Sequence, residues 1–111
     1  MNEPITSEIF QVGGGHLSSD RDAAVYLIII NNRGVLIDAG CGGSIDQICN
    51  NIQSCGISPS QVDLLLLTHC HLDHTGGAAK FREITGCRII AHERDAVFLE
   101  SGDDQVTAAS W

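Results

Sequence analysis

The sequence predicts one layered α/β domain. Stretches with strand periodicity and helix periodicity alternate along the chain, which favours helices packed on a sheet. The most apolar stretch, Val62–Leu67, has the composition of a central strand and leads directly into a polar loop. A length of 111 residues provides the core of a single domain. We expect that domain to span residues 1–111, with 103–111 either poorly ordered or the start of a further element.

Three strands are expected before the first helix. The loosely alternating segment Glu8–Val12 predicts a strand that ends at three consecutive glycines. Ala24–Ile30 is a nearly continuous apolar run rich in β-branched residues, as is typical of a strand covered on both faces. The turn signal Asn31–Gly34 then predicts a hairpin in which Val35–Asp38 is the partner strand.

The helices are predicted from their start and stop signals. Ser44 and Gln47 have the spacing of a capping box, and Gly56 supplies a left-handed stop. Between them lies one apolar stripe: Ile45, Ile48, Cys49, Ile52 and Cys55. Ser58-Pro59 predicts a short second turn. The remaining expected elements are a helix at Gly77–Thr85 closed by Gly86, a strand at Arg88–Ala91 and a helix at Glu93–Glu100.

Composition excludes several classes of partner. The 14 acidic and 6 basic residues give a formal net charge of −8, which repels nucleic acid and anionic membranes, so we expect neither as a partner. No secretory signal opens the chain, and its longest apolar run is too short to span a bilayer, which predicts a cytoplasmic location. The five cysteines include no CxxC pair and are expected to be reduced thiols in the core.

Four strong metal donors lie within six residues: His69, His71, Asp73 and His74. In extended backbone alternate side chains share a face, so the first two histidines can point at one spot. Asp73 and His74 are neighbours whose side chains diverge, and this suits two ions side by side better than one tetrahedral ion. Imidazole and carboxylate donors favour zinc, with iron or manganese as alternatives. The alternative is that these are ordinary surface residues of a loop. That interpretation would suit one isolated histidine, but not four donors directly after a buried strand.

Two such ions would supply hydrolytic chemistry. A pair of zinc ions ~3.5–4 Å apart lowers the pKa of a bound water to about 7 and holds both the nucleophile and the substrate oxygen. Asp73 is placed to orient that water or to accept its proton, which makes it the candidate catalytic residue. Gly76 and Gly77 follow the donors and allow close backbone approach.

The motif HxHxDH with two following glycines, after an apolar strand that ends in Thr68, resembles that of the metallo-β-lactamase superfamily, especially its glyoxalase II-like hydrolases. Three flanking segments agree with the resemblance: Val35–Gly40, Leu64–Leu67 and Ile90–Glu93. The resemblance extends from about residue 8 to residue 102 and implies a mixed sheet with helices on one face, half of an αββα sandwich. Family members are about twice as long, so the chain is interpreted as an amino-terminal half. Its uncovered sheet face favours self-association into a homo-oligomer.

The resemblance also implies the role of each residue. It assigns His69 and His71 to a first metal ion and Asp73 and His74 to a second. Asp38, at the end of the neighbouring strand, corresponds to an acceptor that fixes the orientation of a ligand histidine, although a turn aspartate is nearly as good an interpretation. Among the other histidines, His16 is a lesser candidate for a substrate loop and His92 for a metal ligand.

The expected function is metal-dependent hydrolysis of a small-molecule substrate, with metal-bound hydroxide attacking a thioester, ester or lactam carbonyl. One alternative is a protein similar to persulfide dioxygenases, which share the histidine loop and hold a single iron. Another is a catalytically incompetent chain that acts only in binding or assembly. Flavodiiron oxidoreductases are less favoured, because they typically have glutamate where His71 stands.

Overall fold

The computed structural model describes residues 1–68 and 75–91. The four predicted metal donors, the predicted helix Glu93–Glu100 and the segment 103–111 lie outside the described residues. The description therefore covers the sheet, two helices and the residues on either side of the histidine segment.

A mixed six-stranded sheet forms the centre of the described part of the chain, and its strands follow one another in sequence order. The first four strands are antiparallel neighbours, whereas the fifth and sixth run parallel to the fourth. This is the predicted mixed sheet. The strands are β1 (Glu3–Pro4), β2 (Ile9–Gly13), β3 (Val25–Ile30), β4 (Arg33–Ile37), β5 (Val62–Leu67) and β6 (Arg88–Ala91).

Both described α-helices pack on one face of this sheet, as predicted. They are α1 (Ile45–Ser54) and α2 (Ala78–Thr85), and short 3-10 helices lie at Gly15–Leu17 and Pro59–Gln61. One buried apolar cluster joins the helices to the inner residues of the strands, which places both helices on the same side. Its largest fully buried members are Phe81, Leu27, Leu36, Ile45, Ile48, Ile52 and Leu65.

The other face of the sheet is also apolar. Ile28 pairs with Val35, and Val35 pairs with Leu64 across three central strands, so these side chains share the face opposite the helices. They are half-buried, and Tyr26 and Ile90 on the same face are 36% and 41% exposed. Strands with apolar residues on both faces are typical of a sheet that is covered on both sides. Self-association through this face stays a prediction.

The local signals were accurate except at the start of α1. The strand at Val62–Leu67, the stop at Gly56 and the stop at Gly86 are confirmed, and both glycines have positive φ values. The predicted capping box at Ser44 is wrong: no side-chain cap hydrogen bond forms, because its backbone (φ −127°, ψ 20°) is not in the extended conformation that a capping side chain needs. The capping box of this chain lies at Ser58, with Gln61 as its partner.

The edges of the hairpin also differ from expectation. Asn31 and Asn32 both have positive φ values (52° and 62°), so the turn consists of two residues. For this reason β4 begins at Arg33, two residues before the predicted start. The short edge strand β1 was not predicted, since a strand of two exposed residues leaves no periodic pattern.

Candidate metal centre

The candidate site lies at the carboxyl ends of the parallel strands β4 and β5. Ile37 pairs with Leu66 in register, and the backbone N–H of Asp38 donates to the Leu66 carbonyl at 2.8 Å. Asp38 and Thr68 therefore leave the sheet side by side, and His69 follows Thr68 in the sequence. Open α/β sheets place their ligand sites at this edge.

Asp38 fixes the residue that precedes the histidine segment. Its Oδ1 accepts the backbone N–H of Thr68 at 2.8 Å, and its Oδ2 accepts the Thr68 hydroxyl at 2.7 Å. Asp38 is buried, and its backbone φ is 66°. This conformation costs a non-glycine residue free energy. Thr68, immediately before the histidine segment, is thus held by a buried aspartate whose backbone is strained. The expectation from sequence, a partner histidine, concerns residues outside the described part.

The residues after the histidine segment are held equally closely. Thr75 is buried, and the N–H of Gly77 donates to the Gly40 carbonyl at 3.1 Å. A Cβ atom on Gly77 would collide with the Ala39 carbonyl oxygen and with the side chain of Ile45. The close backbone approach predicted for the glycines is therefore an approach to the loop that follows β4, which sequence reasoning did not foresee.

Asp22 is the other buried carboxylate at this edge, and sequence reasoning missed it. Its Oδ1 accepts the backbone N–H of Cys41 at 2.9 Å, and its Oδ2 accepts the hydroxyl of Ser18. No local signal marks the role of Asp22, because the first partner lies 19 residues away in the sequence. Within residues 1–68 and 75–91, Asp38 and Asp22 thus both act as acidic anchors of the site edge.

The predicted ligands His69, His71, Asp73 and His74 remain a prediction, because they lie between the two described flanks. Within residues 1–68 and 75–91, no group of three or more His, Cys, Asp and Glu side chains is arranged to hold a metal ion. That part of the chain therefore offers no competing metal site.

The two lesser histidine candidates have different outcomes. Because β2 runs parallel to β4, its carboxyl end lies at the site edge, and His16 follows it in an exposed 3-10 helix. This position agrees with a residue near the site but does not test a contact with substrate. His92 lies outside the described residues.

Four of the five cysteines lie in the described segments, and all four are free thiols: Cys41, Cys49, Cys55 and Cys87. Burial raises the pKa of Cys49, and the nearby charge of Asp46 raises it further. Burial likewise raises the pKa of Cys55. Protonated thiols are weak nucleophiles and metal ligands, which agrees with the predicted role of these residues as small core side chains.

None of the helices in the described segments is long and apolar enough to cross a bilayer.

Comparison with known proteins identifies the family. The sequence model of the metallo-beta-lactamase superfamily matches residues 19–110. A probable metallo-hydrolase of Methanocaldococcus jannaschii is 32% identical over 83 residues, which cover 75% of this chain and 39% of the relative. A hydroxyacylglutathione hydrolase of Bradyrhizobium is 31% identical over 88 residues, covering 71% and 33%. The structure of a metallo-beta-lactamase from Cronobacter sakazakii matches with a TM-score of 0.80 and 28% identity, covering 91% of this chain and 38% of that one.

The chain spans between a third and two-fifths of the length of these relatives. The matched region includes the candidate site edge and the histidine motif. The predicted resemblance is therefore confirmed, and the chain belongs to the metallo-beta-lactamase superfamily.

Proposed function

We propose that this chain carries the metal-binding segment of a metal-dependent hydrolase. The observation that carries the proposal is the clamp between Asp38 and Thr68, which fixes the backbone immediately before His69. A buried aspartate with a strained backbone at the end of a parallel strand is typical of a functional site rather than of an ordinary loop. The probable metallo-hydrolase and the hydroxyacylglutathione hydrolase among the relatives support the same reaction class.

The donor set fits a pair of zinc ions. His69 and His71 would hold one ion and Asp73 and His74 the other, since imidazole and carboxylate are the ligands that zinc takes at catalytic sites. When bound, such ions would lower the pKa of a water molecule and polarise the oxygen of a substrate carbonyl. In this assignment Asp73 also orients the attacking water or accepts its proton.

The rest of the site edge keeps that donor set in place. Asp38 holds Thr68 at the start of the segment, and Gly40 holds Gly77 at its end. Ligands fixed at both flanks lose less conformational entropy when a metal binds, which raises the affinity of the site. The described residues therefore supply a preorganised frame for the donors.

An acyl thioester is the substrate class that we favour. The hydroxyacylglutathione hydrolase relative is named for an acylglutathione, in which the acyl group is joined through sulfur. Esters and lactams present the same electrophilic carbonyl, and the matched beta-lactamase structure supports the lactam as the second class. The donor set treats the three carbonyls alike, so the groups that line the substrate pocket decide among them.

A hydrolysis assay tests the proposal. Thioester, ester and lactam substrates are offered to the chain with added zinc, alongside His71→Ala and the control Gln53→Ala. We expect zinc-dependent hydrolysis that His71→Ala lowers by at least about a hundredfold, because the first ion loses one of two assigned ligands. The control should retain its activity, since Gln53 is exposed near the end of α1, away from the site edge. Hydrolysis that does not depend on His71 would exclude the metal mechanism.

A further inference from the structure

The carboxylate of Asp22 connects two loops at the site edge. Ser18, in the connection between β2 and β3, donates its hydroxyl hydrogen to Oδ2. The hydroxyl oxygen of Ser18 in turn accepts the N–H of Gly14 at 2.7 Å. Oδ1 accepts the backbone N–H of Cys41, in the connection between β4 and α1. The side chain is 7% exposed, so these hydrogen bonds are largely shielded from water.

The loop bound by Asp22 also contacts the exit of the histidine segment. Gly40 packs directly on the Asp22 carboxyl group, where a Cβ atom would lie 2.7 Å from Oδ1, and its φ is 71°. The carbonyl of Gly40 accepts the N–H of Gly77. Two residues further on, a Cβ atom on Gly42 would lie 2.9 Å from the Gly76 carbonyl oxygen. Residues 40–42 of loop 39–43 are therefore enclosed between Asp22 and the Gly76–Gly77 backbone.

We infer that Asp22 is a positioning residue for the metal site, acting through loop 39–43 on the backbone that follows the last predicted ligand. This inference rests on the proposed function. Asp38 holds the entry to the donor segment at Thr68, and Asp22 holds its exit at Gly77. The chain of contacts runs from the Asp22 carboxylate to the Cys41 N–H, through Gly40, to the Gly77 N–H. Asp73 and His74 lie three to four residues before that anchor.

Substitutions at Asp22 separate the hydrogen bonds from the charge. Asp22→Ala leaves the Cys41 N–H and the Ser18 hydroxyl without their acceptor in a shielded position. Asp22→Asn retains Oδ1 for Cys41, and Ser18 can rotate to accept from the new amide. We therefore expect alanine to release the loop and asparagine to keep it.

Cobalt(II) titration of the 111-residue chain measures the consequence. Cobalt reports its ligand geometry through its visible absorption spectrum, so affinity and coordination are read together. We expect Asp22→Ala to weaken cobalt binding by roughly 10-fold to 100-fold, the range known for groups that orient ligands, and to change the spectrum at saturation. Asp22→Asn should stay within about threefold of the wild type. Asp20→Ala, an exposed neighbour, is the matched control and should change nothing.

A second pair of variants separates positioning from general destabilisation. Ile52→Ala removes a fully buried core side chain of α1 and lowers the thermal midpoint. It should leave the spectrum of the bound cobalt unchanged. Ser18→Ala removes one of the two hydrogen bonds of Asp22 and should weaken binding by roughly threefold. If Asp22→Ala does not fold, Ser18→Ala tests the role of Asp22 in its place.

Two outcomes overturn the inference. Either the Asp22→Ala chain (or Ser18→Ala in its place) binds cobalt like the wild type with the same spectrum, or Ile52→Ala reproduces its spectral change. Failure of the proposed function gives a different result. If His71→Ala binds cobalt like the wild type, the proposed metal site is wrong. Loss of binding in His71→Ala with no effect at Asp22 overturns only the role of Asp22.

Discussion

The two ends of strands β4 and β5 are built differently. At their carboxyl ends Asp38 is buried and has a positive φ, and its carboxylate accepts hydrogen bonds from the backbone N–H and the hydroxyl of Thr68. At their amino ends Arg33 and Asp63 form an ion pair whose side chains are 54% and 49% exposed. One end depends on hydrogen bonds to a buried carboxylate, and the other on an ion pair whose two side chains are both exposed.

This difference indicates where the fold has been specialised. Buried polar groups and strained backbone lower stability unless every partner is present, so they persist where they have a function. Within the carboxyl end, the space at the glycines differs: Gly77 has no room for a Cβ atom, whereas Gly43 has nothing within 4 Å. We therefore expect substitutions at the carboxyl end to have large effects and substitutions at the amino end to have small ones.

The largest effect is expected for Gly77→Ala. The added methyl group would overlap the Ala39 carbonyl oxygen, which is backbone and cannot move independently of β4. We expect a loss of about 3 kcal/mol in the free energy of unfolding, at the upper end of overpacking effects. Urea denaturation measures the loss, and Gly43→Ala is the matched control with an expected change near zero. Equal stabilities of the two variants would contradict the close packing of Gly77 against Ala39 and Ile45.

A somewhat smaller effect is expected for Asp38→Ala. The substitution removes two hydrogen bonds between a buried carboxylate and the exposed Thr68, which costs about 2 kcal/mol at roughly 1 kcal/mol for each bond. Thr68→Val removes only the hydroxyl and should lose about half as much in the same denaturation experiment. A larger loss for Thr68→Val than for Asp38→Ala would show that the clamp is not what stabilises this edge.

At the amino end the sign of the effect changes. Asn32→Gly should stabilise the chain slightly, by less than the roughly 1–2 kcal/mol that a left-handed conformation costs an ordinary residue, because asparagine tolerates that conformation better than most. A small rise in thermal midpoint is the expected result. A clear fall would mean that the Asn32 side chain has a role that its backbone conformation does not reveal.

The smallest effect is expected for Arg33→Met, and it should depend on pH. Hydrogen bonding to Arg33, together with its charge, holds the pKa of Asp63 below its ordinary value. A depressed carboxyl pKa stabilises the fold above the unfolded-state value of about 3.9, and that contribution is lost as pH falls through the folded-state pKa. The small difference in thermal midpoint between Arg33→Met and wild type should therefore be present at neutral pH and vanish in acid. A difference that grew in acid would have the wrong sign for this ion pair.

The elements that sequence predicted well are those with local causes. Val62–Leu67 was placed at its observed bounds because an uninterrupted apolar run has few alternatives in a small domain. The stops at Gly56 and Gly86 follow from the conformational freedom of glycine. The Ser44 motif failed because its spacing is necessary for a capping box but does not determine the backbone angles.

The candidate site was predictable to a similar extent. Asp38 was identified through the family resemblance, although its described partner, Thr68, was not anticipated. Asp22 could not be found, because its role depends on two loops that meet only in the folded chain. The four donors themselves were identified only from the chemistry of their side chains and from their close spacing in the sequence. The structure describes the residues on both sides of their segment.

Zinc retention after equilibrium dialysis tests the central claim most directly. The wild-type chain, His71→Ala and Asp73→Asn are dialysed against the same micromolar zinc solution, and bound metal is measured by mass spectrometry. We expect the wild type to retain zinc and each substitution to remove most of it, because each takes away a donor that the frame of Asp38 and Gly77 would hold in place. Equal zinc in all three chains would contradict it.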